Sequence, residues 1–150
     1  MVALSFYSGL RAKEVANINL DVLLDRRGRV KEIVPLDPSM TKGAEFGEIY
    51  VCHLEARANI VAFIRKRLVD DKAARHDRLF LSYLNKPISM RQLLKMLFAP
   101  AGIKATSHSS RRSFAISLDQ GGASIKEIQA LMRHGNITST MGYVTTNPAR

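Results

Sequence analysis

Six side chains have the types needed to move a phosphoryl group onto a tyrosine without a metal: Arg11, Lys42, His108, Arg111, His134 and Tyr143. His108 and Arg111 form a His-x-x-Arg phrase, and Tyr143 follows His134 by nine residues. Arg11 lies 100 positions before Arg111, in Ser8-Gly9-Leu10-Arg11-Ala12-Lys13-Glu14. A tyrosine hydroxyl has a solution pKa of about 10, so at neutral pH it needs nearby positive charge or a base before it can attack. Attack on phosphorus builds charge on the nonbridging oxygens, and two guanidinium groups match those oxygens bidentately. The histidines would manage charge and protons. The leaving oxygen needs a proton, which a lysine on a turn such as Lys42 supplies.

The elements that must position these groups are mostly helical. Val2 to Tyr7 reads as the tail of a buried helix, broken at Ser8-Gly9. Arg11 to Ile18 reads as a short helix with Val15 and Ile18 on one face. Asp25 to Gly28 is a charged turn. Val30, Ile33, Val34 and Leu36 suggest a strand ended by Pro35 and Pro38, and Glu48 to Cys52 a second strand. Met40 to Gly47 would connect them, so residues 29–52 form a small antiparallel sheet with Lys42 near its turn. Leu54, Ala58, Val61, Ile64 and Leu68 recur at helical spacing, with Arg57, Arg65, Lys66 and Arg67 falling elsewhere. After Leu79-Phe80-Leu81 and a turn at Asn85-Lys86-Pro87, Ser89 caps a helix with Leu93, Leu94, Leu97 and Phe98 on its apolar face. Pro100 and Gly102 end it. Ser107 caps a helix carrying His108 and Arg111 on one face, stopped by Gly121-Gly122. Ser124 and Glu127 form a capping box for a helix through Met132, and a last helix spans Thr138 to Val144. The expected class is α+β, mainly α, in one domain, with no internal repeats and no linker.

Bulk properties narrow the partner. The 150 residues suit one domain, and 46% hydrophobic residues suffice for a core. Lys plus Arg outnumber Asp plus Glu by 23 to 13, a net charge of +10. That excess favours a polyanion, above all nucleic acid. Cys52 stands alone, which excludes an internal disulfide and fits a reducing, cytoplasmic setting. No apolar run reaches the roughly 18 residues of a membrane span, and Met1 to Tyr7 lacks the basic lead of a signal peptide. No Asp/Glu/His grouping has metal-ligand spacing, which disfavours a metal-dependent nuclease, and no cofactor is expected.

Taken singly, each candidate has a plain reading. Arg11 could be a solvated helix residue, Lys42 a soluble turn residue, His134 a helix C-terminal residue meeting the dipole, and Tyr143 a core aromatic. The ordered set says more. Gly9-Leu10-Arg11-Ala12-Lys13-Glu14, then Thr41-Lys42-Gly43 between two strands, then His108-Ser109-Ser110-Arg111-Arg112-Ser113-Phe114-Ala115, then Leu131-Met132-Arg133-His134 followed by Thr138-Ser139-Thr140 and Tyr143, resembles the catalytic domain of the tyrosine recombinases, also called the phage integrase family. The resemblance covers nearly the whole chain. It implies attack by Tyr143 on a phosphate of double-stranded DNA, leaving a 3′-phosphotyrosyl link and a free 5′-hydroxyl, and reversal by another 5′-hydroxyl. Arg11 and Arg111 would hold the phosphate, Lys42 would act as general acid, His108 would accept a proton near Tyr143, and His134 would hydrogen-bond the phosphate. Glu14 would orient an active-site side chain. Removing Arg111 should then abolish cleavage and leave the fold largely intact.

Two departures stand inside the match. Arg133 takes the place of the usual glycine before the second histidine, where a left-handed backbone is common; it would make the placement of His134 less sure or instead add a phosphate contact. Ser110 takes the place of a leucine and should give up packing. At the ends, the family's N-terminal helical domain is not expected within residues 1–150, and only seven residues follow Tyr143. Two functions therefore stay open: site-specific DNA breaking and rejoining, or a DNA-binding module of the same fold without productive recombination. The family works as tetramers on DNA, so self-association there is expected, with a monomer as the alternative for the isolated chain.

Overall fold

A left-handed residue at Gly9 makes the first turn of the architecture. In the computed structural model, which describes residues 1–41, 46–82, 86, 88–102, 106 and 108–144 (side chain of Lys95 excepted), helix α1 spans Val2–Ser8 and ends on Gly9 at φ 62°. Helix α2, Ala12–Asn17, follows at once, with Arg11 as its N-cap rather than its first turn. Leu4, Leu10, Val15 and Ile18 are fully buried here. A single turn, α3 (Leu20–Leu23), was not foreseen from the sequence. Leu24 then bridges Val30 across the Asp25–Gly28 turn.

Strands β1 (Ile33–Leu36) and β2 (Gly47–Tyr50) pair antiparallel, with Ile33 opposite Tyr50 and Leu36 opposite Gly47. Val34, Leu36 and Ile49 point into the core and their neighbours point out, the two-residue period of a half-buried sheet. Pro35 lies inside β1 opposite Glu48 and does not end the strand. A two-stranded sheet is all edge, and proline is tolerated where no partner needs its missing N–H. Of the expected Met40–Gly47 connection, Gly47 already belongs to β2, and residues 42–45, including Lys42, lie outside the described residues, as do Asn85, Pro87 and Ser107.

Helix α4, Leu54–Val69, buries Ala56, Ile60, Ile64 and Arg67. The expected face was rotated: Leu54 is 85% exposed and Val61 45%. Two apolar ridges compete on this helix, and the one spaced by fours from Ala56 wins because it meets α1 and the Leu79 segment. Arg67 reaches the buried side as well, where its guanidinium binds Asp71 and the Arg78 carbonyl. Helix α5, Met90–Phe98, is capped by Ser89 as expected but buries Met90 and Leu94, leaving Leu97 exposed.

The last three helices are α6 (Ser109–Gln120), α7 (Ile125–Met132) and α8 (Ile137–Val144). The capping box forms: Ser124 N donates to Glu127 Oε2 at 2.7 Å, and Glu127 N donates to Ser124 Oγ at 3.3 Å. Ala115, Ile128, Met132 and Val144 form a separate small core, lapped by Phe114, Leu118 and Tyr143. Helix α6 packs on α1 and so joins the two parts. The architecture is helical with one small antiparallel sheet, and among the described residues no helix is long and apolar enough to cross a membrane.

Candidate active site

Arg111 crosses the seam between the two cores. It is 3% exposed. Its Nη1 donates to the Gly9 carbonyl at the end of α1, and its Nη2 to the Met132 carbonyl at the end of α7. Gly9 is suited to this place twice over. Its left-handed backbone suits glycine, and a Cβ there would lie 2.6 Å from the Phe114 ring, one helical turn from Arg111. Next to Arg111, Ser110 donates to Ser5 Oγ at 2.9 Å, and Ser5 donates to the Leu10 carbonyl at 3.0 Å. Ser110 is thus buried and hydrogen-bonded where the sequence alone suggested only lost packing. It makes a buried hydrogen-bond chain between α6 and α1, invisible to local sequence because the partners are 105 positions apart.

Arg11 enters from the other side. Its Nη1 pairs with Glu14 Oε1 at 2.9 Å, and its Nη2 donates to the Arg133 carbonyl at 2.6 Å. Glu14, 1% exposed, also accepts the Arg11 backbone N–H at 2.7 Å and the Arg133 Nη2 at 2.6 Å. It therefore ties the Arg11 and Arg133 side chains to one carboxylate. Arg133 ends α7 in the left-handed conformation that the sequence made doubtful, at φ 50° and ψ 50°. The turn it makes delivers His134, whose backbone N–H donates to the Gln129 carbonyl at 3.1 Å while Gln129 Nε2 donates to the His134 carbonyl at 3.0 Å.

The His134 ring is half-buried, with Nδ1 2.9 Å from the hydroxyl of fully buried Thr140. Its centroid is 5.5 Å from that of Tyr143. Burial, and then the charges of Arg111, Arg11 and Arg133, push its pKa down to about 4, so the imidazole is neutral at pH 7. Burial first, and then Arg11 and Arg133, bring Arg111 down to about 10, still charged at pH 7. Tyr143 is half-buried against the small core, and the Arg112 guanidinium carbon lies 5.8 Å from its ring centroid, within cation–π reach.

Arg11, Arg111, His134 and Tyr143 are thus brought together, with Glu14, Arg133, Thr140 and Arg112 around them. His108 is the N-cap of α6, just outside the helix, and is exposed where Arg111 is buried. The shared helical face expected for the pair therefore does not hold at its first member. Lys42 is outside the described residues. Of the surrounding groups, Thr140 and Arg112 carried no local signal, since their value comes from neighbours that only the fold supplies. An open cleft of about 650 Å3 between β2 and α7, lined by Gly47, Gln129, Arg133 and His134, runs beside the site. Among the described residues, no three His, Cys, Asp or Glu side chains are grouped to hold a metal ion.

This arrangement suits an oxyanion: guanidiniums fixed on backbone carbonyls, a neutral imidazole, and a tyrosine ring alongside. Residues 1–150 match the model of the phage integrase family. The chain is 30% identical over 152 residues to the tyrosine recombinase XerA of Thermococcus kodakarensis, covering 95% of this chain and 49% of that one. The fold superposes on the crystal structure of XerA recombinase with a TM-score of 0.79 at 22% identity, covering 98% of this chain and 52% of that one. XerH site-specific recombinase bound to a palindromic difH substrate, in a post-cleavage complex, gives a TM-score of 0.68 at 17% identity, covering 99% of this chain and 42% of that one. The chain spans about half the length of the curated relatives it matches.

Proposed function

The chain belongs to the phage integrase family, and from that premise we propose that residues 1–150 are the catalytic domain of a site-specific tyrosine recombinase acting on double-stranded DNA. Tyr143 Oη attacks a backbone phosphorus, the bond from phosphorus to the 5′ oxygen breaks, and a 3′-phosphotyrosyl link and a 5′-hydroxyl result. The tyrosine proton passes to His108, and the leaving 5′ oxygen takes a proton from Lys42. Rejoining runs the same steps backwards with a 5′-hydroxyl from another strand. The energy of the broken phosphodiester stays in the tyrosyl link, so no nucleotide triphosphate is consumed.

The observation that carries this reading is the fixing of Arg11 and Arg111 on the backbone carbonyls of Arg133, Gly9 and Met132, beside the His134–Tyr143 pair. Preorganised guanidiniums stabilise charge that develops in the transition state without reorganising at the moment of reaction. With its pKa near 4, His134 is neutral, and in the tautomer protonated at Nε2 its Nδ1 accepts from the Thr140 hydroxyl while Nε2–H donates to a phosphate oxygen. A cytoplasmic setting follows from the same reading, since the substrate is DNA. One observation favours a second reading, a DNA-binding module without productive recombination: His108 stands exposed at the α6 N-cap, unlike buried Arg111.

The two separate on a nicked duplex library with randomised central positions, incubated with the protein in EDTA. A covalent protein–DNA adduct that disappears in Tyr143→Phe is the expected result, with a loss of at least about 1,000-fold, since a nucleophile has no substitute. An adduct that persists in Tyr143→Phe removes Tyr143 from its role. Salt-sensitive duplex binding with no adduct from any member of the library leaves the binding module.

A further inference from the structure

Arg133 is held in a costly way. Its backbone is left-handed, where a side chain is strained and glycine is not. Its side chain runs back across β2 to Glu14, and the run is open because residue 47 is glycine: a Cβ there would lie 2.6 Å from Arg133 Cδ. Only 12% of the side chain is exposed, and its Nε and Nη1 atoms are buried without a hydrogen-bond partner among the described residues. Unpaired buried donors on a charged group cost free energy. Strain and unpaired charge at one residue are what functional sites retain.

The carboxylate that Arg133 reaches is shared. Glu14 takes Arg11 on Oε1 and Arg133 on Oε2. The field of Arg133 also reaches Arg111 and His134. Three guanidiniums therefore stand against one carboxylate, an excess of two positive charges, where Arg11 and Arg111 alone would leave one. A phosphodiester carries a single negative charge, and the five-coordinate phosphorus formed by tyrosine attack carries two.

We propose that Arg133 is a positioning and charge-setting residue of the phosphate site: it holds Glu14, and through it Arg11, and it supplies the positive charge that matches the transition state better than the ground state. The inference rests on the phosphoryl-transfer reading above. Charge that is felt more strongly in the transition state raises the rate of the chemical step and leaves ground-state binding nearly unchanged.

The test compares wild type with Arg133→Gly, Arg133→Lys and Gly47→Ala on a nicked duplex at saturating protein, with duplex affinity measured separately. Arg133→Gly should slow adduct formation roughly 10- to 100-fold, below the usual cost of losing a direct oxyanion contact, with affinity within about threefold. Its urea midpoint should not fall, because glycine relieves the left-handed backbone. Arg133→Lys should recover part of the rate. Gly47→Ala, which leaves every charge in place, should slow the reaction in the same direction by displacing the Arg133 side chain. An Arg133→Gly rate within twofold of wild type (about the scatter of such assays, and under 0.5 kcal/mol) overturns the proposal, and so does a loss of affinity equal to the loss of rate. If the wild type forms no adduct, the recombinase reading fails, and an NMR titration of the His134 ring decides the placement of Arg133. An upward move of the His134 pKa in Arg133→Gly keeps the guanidinium in the site; an unmoved titration overturns it.

Discussion

The two regions of this molecule are held together by different forces. From α1 to α5, seventeen buried apolar side chains among the described residues form one continuous core, running from Leu4 to Leu94. From α6 to α8 the core is four residues: Ala115, Ile128, Met132 and Val144. Each fully buried side chain contributes about 1.5–3 kcal/mol, so the C-terminal region has far less of its own to stand on. It leans on the first region through Arg111 on Gly9, Ser110 on Ser5, and Phe114 against Gly9. The lesson is that the proposed phosphate anchors are also the joinery. The guanidinium proposed to hold the phosphate is the one that attaches α6 to α1.

The largest effect should come from cutting that shared group. Arg111→Ala should reduce adduct formation by at least about 1,000-fold, as for loss of a strong transition-state contact. The sequence alone suggested that the fold would be largely preserved. The two carbonyls left unpaired at Gly9 and Met132 put a cost on that, and the unfolding free energy in urea should fall by about 2–4 kcal/mol. A variant as stable as wild type would detach the seam from the site.

Gly9→Ala leaves every charge alone and attacks the joint by shape. With φ at 62° and Phe114 2.6 Å from the new Cβ, it should cost about 1–3 kcal/mol. Amide exchange should then accelerate in α6–α8 while β1, β2 and α4 keep their protection. Equal acceleration everywhere would make the two regions one cooperative unit and erase the comparison.

The smallest effect concerns pH. His134 has a folded pKa of about 4, below the unfolded value of about 6.5. The unfolded chain therefore binds a proton that the folded site refuses as pH falls through that window. Its contribution to stability is complete above pH 6.5 and declines toward pH 4. The drop in urea midpoint between pH 7 and pH 4.5 should be larger for wild type than for His134→Gln, a difference that isolates this group from the carboxylates titrating nearby. Equal drops would place the imidazole outside the field of the arginines.

What could be read in the sequence was what short spans determine. Ser124 and Glu127 are three residues apart, and their capping box is a local event. Gly9 followed by Arg11 and Glu14 announced a break and an orienting carboxylate. The errors came where two local readings were nearly equal or where the deciding partner was distant. Helix α4 carries two apolar ridges, and only its packing chose Ala56, Ile60 and Ile64. Pro35 reads as a strand end unless the sheet is known to be all edge. Ser110 looked like lost packing because Ser5 is far away in the chain. Arg133 read as a departure or an added phosphate contact, because the partners that hold it, Glu14 and Gly47, are distant in the chain.

The span between Glu14 and Arg133 also has a meaning in time. They are 119 positions apart, and Arg11 bonds a carbonyl 122 positions further on. A chain made at about 5–20 residues per second has α1 and α2 for roughly 6–24 seconds before Arg133 exists. Through that interval Glu14 has one arginine, Gly9 lacks its guanidinium until Arg111 is made, and Tyr143 has not been added. The arginine cluster around Glu14 is therefore complete only once α7 has been made, long after α1 and α2.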